Sequence, residues 1–209
     1  MFKGSIVALV TPLKNNSLDH QALVNLINWH CESGTSAIVV CGSTGEGALL
    51  SSAEREVLIE TAVKHSQIPV IVGCGAPSTQ MVIDQVKQAQ SLGASGVLVV
   101  APYYCKTTQE GLHQHFKAVH DASNIPILLY NNPGRTVIEI SVDVALRLFE
   151  LERIVGIKDS TLDSSRAALM RNGVSKSVAL LSGDDPFAAG YLAHGGDGLI
   201  SITANVLPS

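Results

Sequence analysis

Eight short apolar runs, each separated from the next by a longer amphipathic segment, constrain the fold of this chain more than any other feature. Val, Ile and Leu dominate these runs, which are continuously apolar rather than alternating. That pattern is typical of parallel strands, because helices cover both of their faces. The runs span residues 5–10, 37–42, 69–75, 96–101, 126–131, 154–159, 178–183 and 198–203.

Three of the intervening segments carry clear helix signals: residues 19–34, 52–66 and 78–93. The second begins with Ser-Ala-Glu-Arg-Glu, which puts acidic groups near the positive end of the helix dipole. The third ends on Gly93, a residue suited to a helix C-terminus. Strands alternating with helices predict parallel βαβ units, and eight of them fit a closed (β/α)₈ TIM barrel. An open doubly wound sheet is the structural alternative, since the number of strands does not prove closure.

The pattern continues without a linker, so residues 1–209 are predicted to form a single barrel domain. The sequence reaches Ser209 directly after the eighth run, where a barrel would continue into its last helix. We therefore expect a barrel that is truncated at its C-terminus. Uncovered apolar surface forfeits about 25 cal/mol per Å², so such a chain is expected to fold less well or to lose activity.

The composition argues against several classes of function. Apolar residues make up 46% of the 209 residues and charged residues 15%, which suits a large buried core. A net charge of −4, scattered basic residues and 4% aromatic residues argue against nucleic-acid binding. No run approaches the roughly 18 apolar residues of a membrane span. The four cysteines form no CxxC pair, which favours reduced thiols and a cytoplasmic protein.

The loop GSTGEG, residues 42–47, ends the second run and is a candidate anion site. Reactive groups of a parallel barrel gather where the carboxyl ends of the strands meet. Two hydroxyls and several backbone amides could there hold a carboxylate or an oxyanion. The lysine of a phosphate-binding P-loop is missing, and Asp184 and Asp185 after the seventh run would repel phosphate. An ordinary glycine-rich turn is the alternative.

Two strand-end side chains could carry chemistry. Lys158 ends the sixth run, and a desolvated neutral amine there could attack a carbonyl carbon to form a Schiff base, an electron sink. Tyr130 ends the fifth run and could pass a proton to and from a substrate oxygen. Taken singly, each is more often structural, Lys158 in a salt bridge and Tyr130 in the core. Asp159 is interpreted as a turn residue.

Other patterns carry weaker signals. His113, His115 and His120 do not share one helix face well, so a solvated helix surface is favoured over a metal site. The glycines of residues 73–78 lack the third glycine of a dinucleotide-binding fingerprint. No metal site is predicted.

Five motifs, taken in order, resemble the class I pyruvate-dependent aldolase family. They are GSTGE (42–46), PYY with QEG (102–104 and 109–111), YNNPGRT (130–136), GIKDST (156–161) and LLSGDD (180–185). The resemblance covers essentially the whole chain. It implies an enzyme that works through a Schiff base between pyruvate and Lys158, with no metal or organic cofactor.

The resemblance also implies the catalytic residues. Lys158 would form the Schiff base, and Tyr130 would relay protons together with Ser43 and Thr44. Tyr104 would complete this relay from the neighbouring subunit, which implies a homodimer or homotetramer.

The substrate contacts implied by the resemblance involve four residues. Arg135 would bind the carboxylate of L-aspartate 4-semialdehyde, for which a guanidinium fork is suited. Thr44, Gly183 and Ile200 would contact the bound pyruvate, the last two through backbone groups. The implied reaction is a carbon–oxygen lyase step that condenses these two substrates in lysine and diaminopimelate biosynthesis.

Two rival functions stay open. Sialic acid and sugar-acid lyases share the loop, the tyrosine and the lysine, and they usually have serine at the position of Ser43. They do not usually carry NPGRT, so Arg135 favours the semialdehyde. The other rival is an inactive, truncated barrel.

The chain departs from the family at two places. Where lysine-inhibited members have a polar, partly acidic pocket, it has Gly47, Ser52, Pro77 and Met81, with Tyr103 retained. We therefore expect weak or no inhibition by lysine. Relatives also continue beyond the eighth strand into the last barrel helix and a helical C-terminal domain.

Overall fold

The computed structural model describes residues 2–208, and its main sheet is a closed parallel barrel of eight strands. Neighbours along the chain pair in parallel, and the first strand also pairs with the last, which closes the sheet. The predicted TIM barrel is confirmed, the open sheet is excluded, and strand bounds differ from the predicted ones by at most two residues. The strands are β1 (Gly4–Ala8), β2 (Ala37–Val40), β3 (Val70–Cys74), β4 (Gly96–Val100), β5 (Ile127–Asn131), β6 (Ile154–Asp159), β7 (Ala179–Ser182) and β8 (Gly198–Ser201).

Helices connect the strands, and the three predicted from sequence are confirmed. At the second, Ser51 and Glu54 form a reciprocal capping box, which satisfies two backbone N–H groups at the helix start. Gly93, with φ +83°, ends the third. The helices are α1 (His20–Glu32), α2 (Ser52–His65), α3 (Thr79–Ser91), α4 (Gln109–Asp121), α5 (Val142–Leu148), α6 (Ser165–Arg171) and α7 (Ala188–Ala193). Short helical turns lie at Pro133–Thr136, Asp185–Phe187 and Thr203–Asn205, and Leu13–Lys14 pairs with Ser17–Leu18 in a small hairpin.

Seven of the eight strands contribute to two apolar cores, and β8 contributes Ile200 to the inner one. Successive side chains of a strand point to opposite faces; in β1, Ile6 packs inside the barrel and Val7 packs against the helices. The same alternation in β5 sends Tyr130 inward and Leu129 outward. Both cores are almost fully buried, which explains why the strands are apolar without interruption.

The segment after β8 presents apolar side chains to solvent. Ile202, Val206 and Leu207 are each more than half exposed. That residues 1–209 form one domain, truncated at the C-terminus, stays a prediction.

A charged cluster ties the strands together at the opposite, amino-terminal end of the barrel. Asp197 accepts hydrogen bonds from Lys3 Nζ at 2.8 Å, from the backbone N–H of Leu180 at 3.0 Å, and from Arg171. Lys3 precedes β1, Leu180 belongs to β7, and Asp197 precedes β8. One carboxylate therefore joins both sides of the closing seam.

Replacing Asp197 by Asn should destabilise the fold in a pH-dependent way. Burial alone would raise the pKa of Asp197, but the hydrogen bonds from Lys3 and Leu180 and the charge of Arg171 outweigh it and lower the pKa. A carboxylate whose pKa is lowered by folding stabilises the fold at pH values above its pKa in the unfolded chain, about 3.9. This stabilisation is lost as pH falls through its pKa in the folded protein. We expect Asp197→Asn to reduce the free energy of unfolding by about 1–2 kcal/mol at pH 7.

Urea unfolding of both proteins at pH 7 and at pH 3 measures this. The gap between them should shrink at the lower pH, and a gap that does not change with pH would contradict the account. Asp84→Asn, which changes an exposed carboxylate on α3 that accepts only from Gln80, is the matched control and should alter little.

Candidate active site

A cavity of about 1000 Å³ opens where the strands end at the carboxyl side of the barrel. Closure of the barrel brings residues from distant parts of the sequence to this one place. Of the eight site residues expected from sequence, six line it: Ser43, Thr44, Tyr130, Arg135, Lys158 and Gly183. Tyr104 and Ile200 do not belong to its lining.

Lys158 lies on the inner face of β6 and is only 6% exposed. Its backbone pairs with that of Tyr130 in β5, and its Nζ lies 4.4 Å from the centre of the Tyr130 ring. The Tyr130 hydroxyl accepts a hydrogen bond from Asn132 Nδ2 at 2.8 Å, which orients the phenol. An amine and a phenol are thus held side by side at one cavity wall.

The glycine-rich loop is fixed rather than free. Thr11, three residues after β1, donates to the Gly45 carbonyl at 2.6 Å, and the Gly47 N–H donates to the Gly42 carbonyl at 3.0 Å. A Cβ on Gly47 would lie 2.0 Å from the Cys41 carbonyl oxygen, so only glycine fits there. Ser43 and Thr44 line the cavity from this fixed loop, and anion binding there stays a prediction.

Gly183 gives the lysine its room. A Cβ there would lie 3.0 Å from Lys158 Cε and 1.9 Å from Ser160 Oγ. The Gly183 N–H donates to the Asp159 carbonyl at 2.8 Å, which holds β7 against β6 at the cavity. Any larger residue would push the lysine aside.

The two aspartates that follow Gly183 have different roles. Asp184 lines the cavity, and burial raises the pKa of its carboxyl group, while the nearby charge of Lys158 opposes this shift. Asp185 instead accepts hydrogen bonds from the Ser201 hydroxyl and the Ile202 N–H, so it fixes the end of β8. The prediction that both charges repel phosphate stays a prediction, and of the two only Asp184 borders the cavity.

Arg135 lies on the helical turn Pro133–Thr136 at the cavity entrance and is exposed. The turn is held by Thr136 Oγ1, which lies within hydrogen-bond distance of the carbonyls of Asn132 and Ile138. Val137 then takes a left-handed conformation with φ +62°, which a β-branched residue rarely adopts. The guanidinium is thus presented from a short, strained turn.

Tyr104 and Ile200 lie elsewhere. Tyr104 is 90% exposed and does not belong to the cavity lining of its own chain, while the adjacent Tyr103 does. Ile200 is fully buried in the interior core below the cavity, together with Tyr130 and Leu181.

The buried thiols near the cavity are not activated. Burial raises the pKa of Cys41 to about 11 and that of Cys74 to about 12, although the charge of Arg55 opposes both shifts. These thiols are therefore protonated at neutral pH and are poor nucleophiles. All four cysteines are free thiols.

The expectation for the α4 histidines was partly wrong. His115 and His120 are buried rather than solvated, because this face of α4 packs on neighbouring elements; His115 Nδ1 lies 2.9 Å from Thr79 Oγ1 of α3. Burial lowers the pKa of His115 to about 4, so the ring is neutral. Within residues 2–208, no cluster of three or more His, Cys, Asp or Glu could hold a metal ion.

Asp159 was wrongly interpreted as a turn residue. It is the last residue of β6, only 4% exposed, and its Oδ2 accepts from Arg166 Nε at 2.8 Å. The alternation of the strand holds the signal: an inward Lys158 implies an outward Asp159 beneath the helices, where a carboxylate needs a partner. The identity of that partner depends on how α6 packs, which the pattern does not give.

None of the helices described between residues 2 and 208 combines the length and the apolar character needed to cross a membrane.

Known proteins resemble this chain along its whole length. A sequence model of the dihydrodipicolinate synthetase family matches residues 1–209. The 4-hydroxy-tetrahydrodipicolinate synthase of Parvibaculum lavamentivorans is 47% identical over 211 residues, which cover all of this chain and 72% of that protein.

Two solved structures share the fold closely. Dihydrodipicolinate synthase from Aquifex aeolicus has a TM-score of 0.96 at 46% identity, with 99% of this chain and 72% of that one covered. The chloride-inhibited dihydrodipicolinate synthase from Acinetobacter baumannii, complexed with pyruvate, has a TM-score of 0.96 at 45% identity. The match covers 100% of this chain and 72% of that one. The family match over the whole sequence and this identity along a shared barrel lead to one conclusion: the chain belongs to the dihydrodipicolinate synthetase family of enzymes.

Proposed function

We propose that this enzyme condenses pyruvate with L-aspartate 4-semialdehyde to 4-hydroxy-tetrahydrodipicolinate, a step of lysine and diaminopimelate biosynthesis, through a Schiff base on Lys158. The observation that carries the proposal is the placement of Lys158, nearly buried on the cavity wall with its Nζ 4.4 Å from the Tyr130 ring. The pyruvate-complexed relative supports the first substrate. The proposed site of action is the cytoplasm.

The first half of the reaction uses the amine. Neutral Lys158 attacks the keto carbon of pyruvate, water leaves with the keto oxygen, and a protonated imine forms. This cation withdraws electrons from the adjacent methyl group, which loses a proton and becomes a nucleophilic enamine carbon. The covalent imine takes the role that an organic cofactor plays elsewhere.

Proton transfer in this step is assigned to the Tyr130 phenol and to Ser43 and Thr44 of the glycine-rich loop 42–47, which is called the hydroxyl loop from here on. Tyr130 is adjacent to the amine and can carry a proton to the departing oxygen, with Ser43 and Thr44 continuing the relay. Thr44 and the backbone of Gly183 would contact the pyruvate, and Gly183 also leaves space beside Lys158. Ile200 is fully buried and lies outside the cavity lining, so it is left out of the proposed contacts.

The second half joins the two substrates. The enamine carbon attacks the aldehyde carbon of the semialdehyde, whose oxygen takes up a proton and becomes the 4-hydroxyl group. The substrate's own amine then displaces Lys158 from the imine and closes the ring, which frees the lysine. Arg135 at the entrance would hold the semialdehyde carboxylate through a two-pronged hydrogen bond.

Tyr104 is proposed to act in the cavity of a second copy of the chain. Its side chain is 90% exposed, and Leu49 and Met81, which border the cavity, are 79% and 55% exposed. Exposed large apolar groups of this kind mark interaction surfaces. A homodimer or homotetramer is therefore part of the proposal.

Reduction with sodium borohydride in the presence of pyruvate should attach the three-carbon unit to Lys158. Peptide mass mapping locates the adduct. Lys158→Met should abolish it and reduce turnover by at least about 10³-fold, whereas Lys87→Met, at an exposed lysine on α3, should change neither. A folded protein that forms no adduct would favour the inactive-barrel alternative.

Arg135→Ala should leave trapping by pyruvate intact and impair condensation. Loss of a charged hydrogen-bonded pair should lower kcat/KM for the semialdehyde by about 10- to 100-fold, chiefly through KM. Steady-state kinetics measures this. Unchanged kinetics with the semialdehyde, or turnover of N-acetylneuraminate by the wild type, would point to the sugar-acid lyases instead.

Lysine should inhibit weakly or not at all. At the positions of the lysine pocket of inhibited relatives, the cavity-lining Gly47, Pro77 and Met81 carry no carboxylate for the ammonium of lysine, and the buried cation of Arg55 also lines the cavity. Assays with added lysine test this, and inhibition at sub-millimolar lysine would overturn it. Met81→Glu, which restores a carboxylate to this wall, should increase the sensitivity.

A further inference from the structure

We propose that a buried network behind the cavity wall positions the reactive groups, an inference that rests on the function proposed above. The strand-end network consists of the side chains of Asn131, Asp159 and Arg166 and the backbone of Ile140. Its side chains are positioning residues: none lines the cavity, yet two of them directly follow Tyr130 and Lys158 in the chain.

Asp159 is held at both carboxylate oxygens. Its Oδ2 accepts from Arg166 Nε at 2.8 Å, and its Oδ1 accepts from Asn131 Nδ2 at 3.3 Å. All three side chains are buried, with exposures of 4%, 6% and 0% in that order. A buried carboxylate with two directional donors has little freedom to rotate.

The alternation of the strands links this network to the cavity. Asn131 pairs with Asp159 across β5 and β6, one residue beyond the pair of Tyr130 with Lys158. Neighbouring residues of a strand share a peptide unit and point to opposite faces. Fixing the outward pair therefore fixes the backbone that aims the inward pair.

The same network holds the segment that carries Arg135. The N–H of Ile140 donates to Asn131 Oδ1 at 2.9 Å, and its carbonyl accepts from Arg166 Nη2 at 2.8 Å. Between Arg135 and Ile140, Val137 keeps a left-handed conformation that persists only when the surroundings enforce it. Arg166 thus contacts both Asp159, which follows Lys158, and the segment that follows the turn bearing Arg135.

A third contact of the arginine differs from the others. Arg166 Nη1 donates to Glu139, but the Glu139 side chain is 47% exposed and touches neither strand end in this network. Glu139→Gln removes the negative charge that faces the same arginine while leaving the hydrogen bonds of Asp159, Asn131 and Ile140 in place. It is the matched variant for separating positioning from the charge of Arg166.

A second comparison separates a general loss of stability from a specific loss of positioning. Asp197 forms an aspartate–arginine pair with Arg171 at the opposite end of the barrel. Asp159→Asn and Asp197→Asn are compared at temperatures at which both remain folded, with two readouts: the rate of imine formation with pyruvate, followed by borohydride quench, and amide hydrogen exchange of residues 132–141.

We expect Asp159→Asn to slow imine formation by about 10- to 100-fold, the size of effect that follows a misplacement of about 1 Å, and to speed exchange in residues 132–141. Asp197→Asn and Glu139→Gln should change neither readout. If Asp159→Asn and Asp197→Asn alter both readouts equally, the network is merely structural and the proposal is overturned.

Arg166→Lys supplies a test that does not depend on the folding of Asp159→Asn. A lysine can keep the charge beside Asp159 but has one donor centre instead of three, so the Ile140 carbonyl loses its donor while the Ile140 N–H keeps Asn131. In Arg166→Lys, imine formation should proceed at close to the wild-type rate. The KM for the semialdehyde should be higher, and amide hydrogen exchange near Ile140 faster, than in the wild type. An equal loss of rate in imine formation and in condensation would contradict the separate roles of the Asp159 and Ile140 contacts of Arg166.

The two proposals fail in different ways. If wild-type protein forms no imine, the proposed function fails, and the exchange of residues 132–141 still decides whether the network holds this segment. If wild type forms the imine and all these variants match it in both readouts, only the network proposal fails.

Discussion

The two-residue alternation of side chains at the ends of β5 and β6 is the constraint on which the rest of this structure depends. It turns Tyr130 and Lys158 into the cavity and Asn131 and Asp159 out beneath the helices. A shift by one residue would bury the ammonium among the helices and expose the carboxylate to the cavity. The four residues therefore supply the reactive groups on the inner face of the barrel and the hydrogen-bonded carboxylate network on its outer face.

Closure of the barrel turns this local pattern into a site. The hydroxyl loop, the glycine after β7 and the arginine turn converge only because the first strand pairs with the last. Several features then keep the lysine distinct from other candidate nucleophiles. It borders the cavity and contacts an aromatic ring, whereas burial keeps the nearby thiols of Cys41 and Cys74 protonated.

Much of this could be predicted from the sequence, because it rests on periodicity. Continuous apolar runs identified all eight strands, and their ends identified the residues around the cavity. What escaped prediction depends on packing between distant elements. The partner of Asp159 is set by where α6 lies, the burial of His115 by how α4 meets α3, and the different roles of Asp184 and Asp185 by the path of the chain after β7.

The central claim is that Lys158 forms the covalent bond, with Tyr130 beside it and the substrate carboxylate toward the hydroxyl loop. A crystal structure of the protein after reduction with pyruvate and borohydride tests this most directly. The account predicts continuous density from Lys158 Nζ to the second carbon of the three-carbon unit, with its carboxylate at Ser43 and Thr44. An adduct on another lysine, or a carboxylate bound at Arg135 instead, would contradict it.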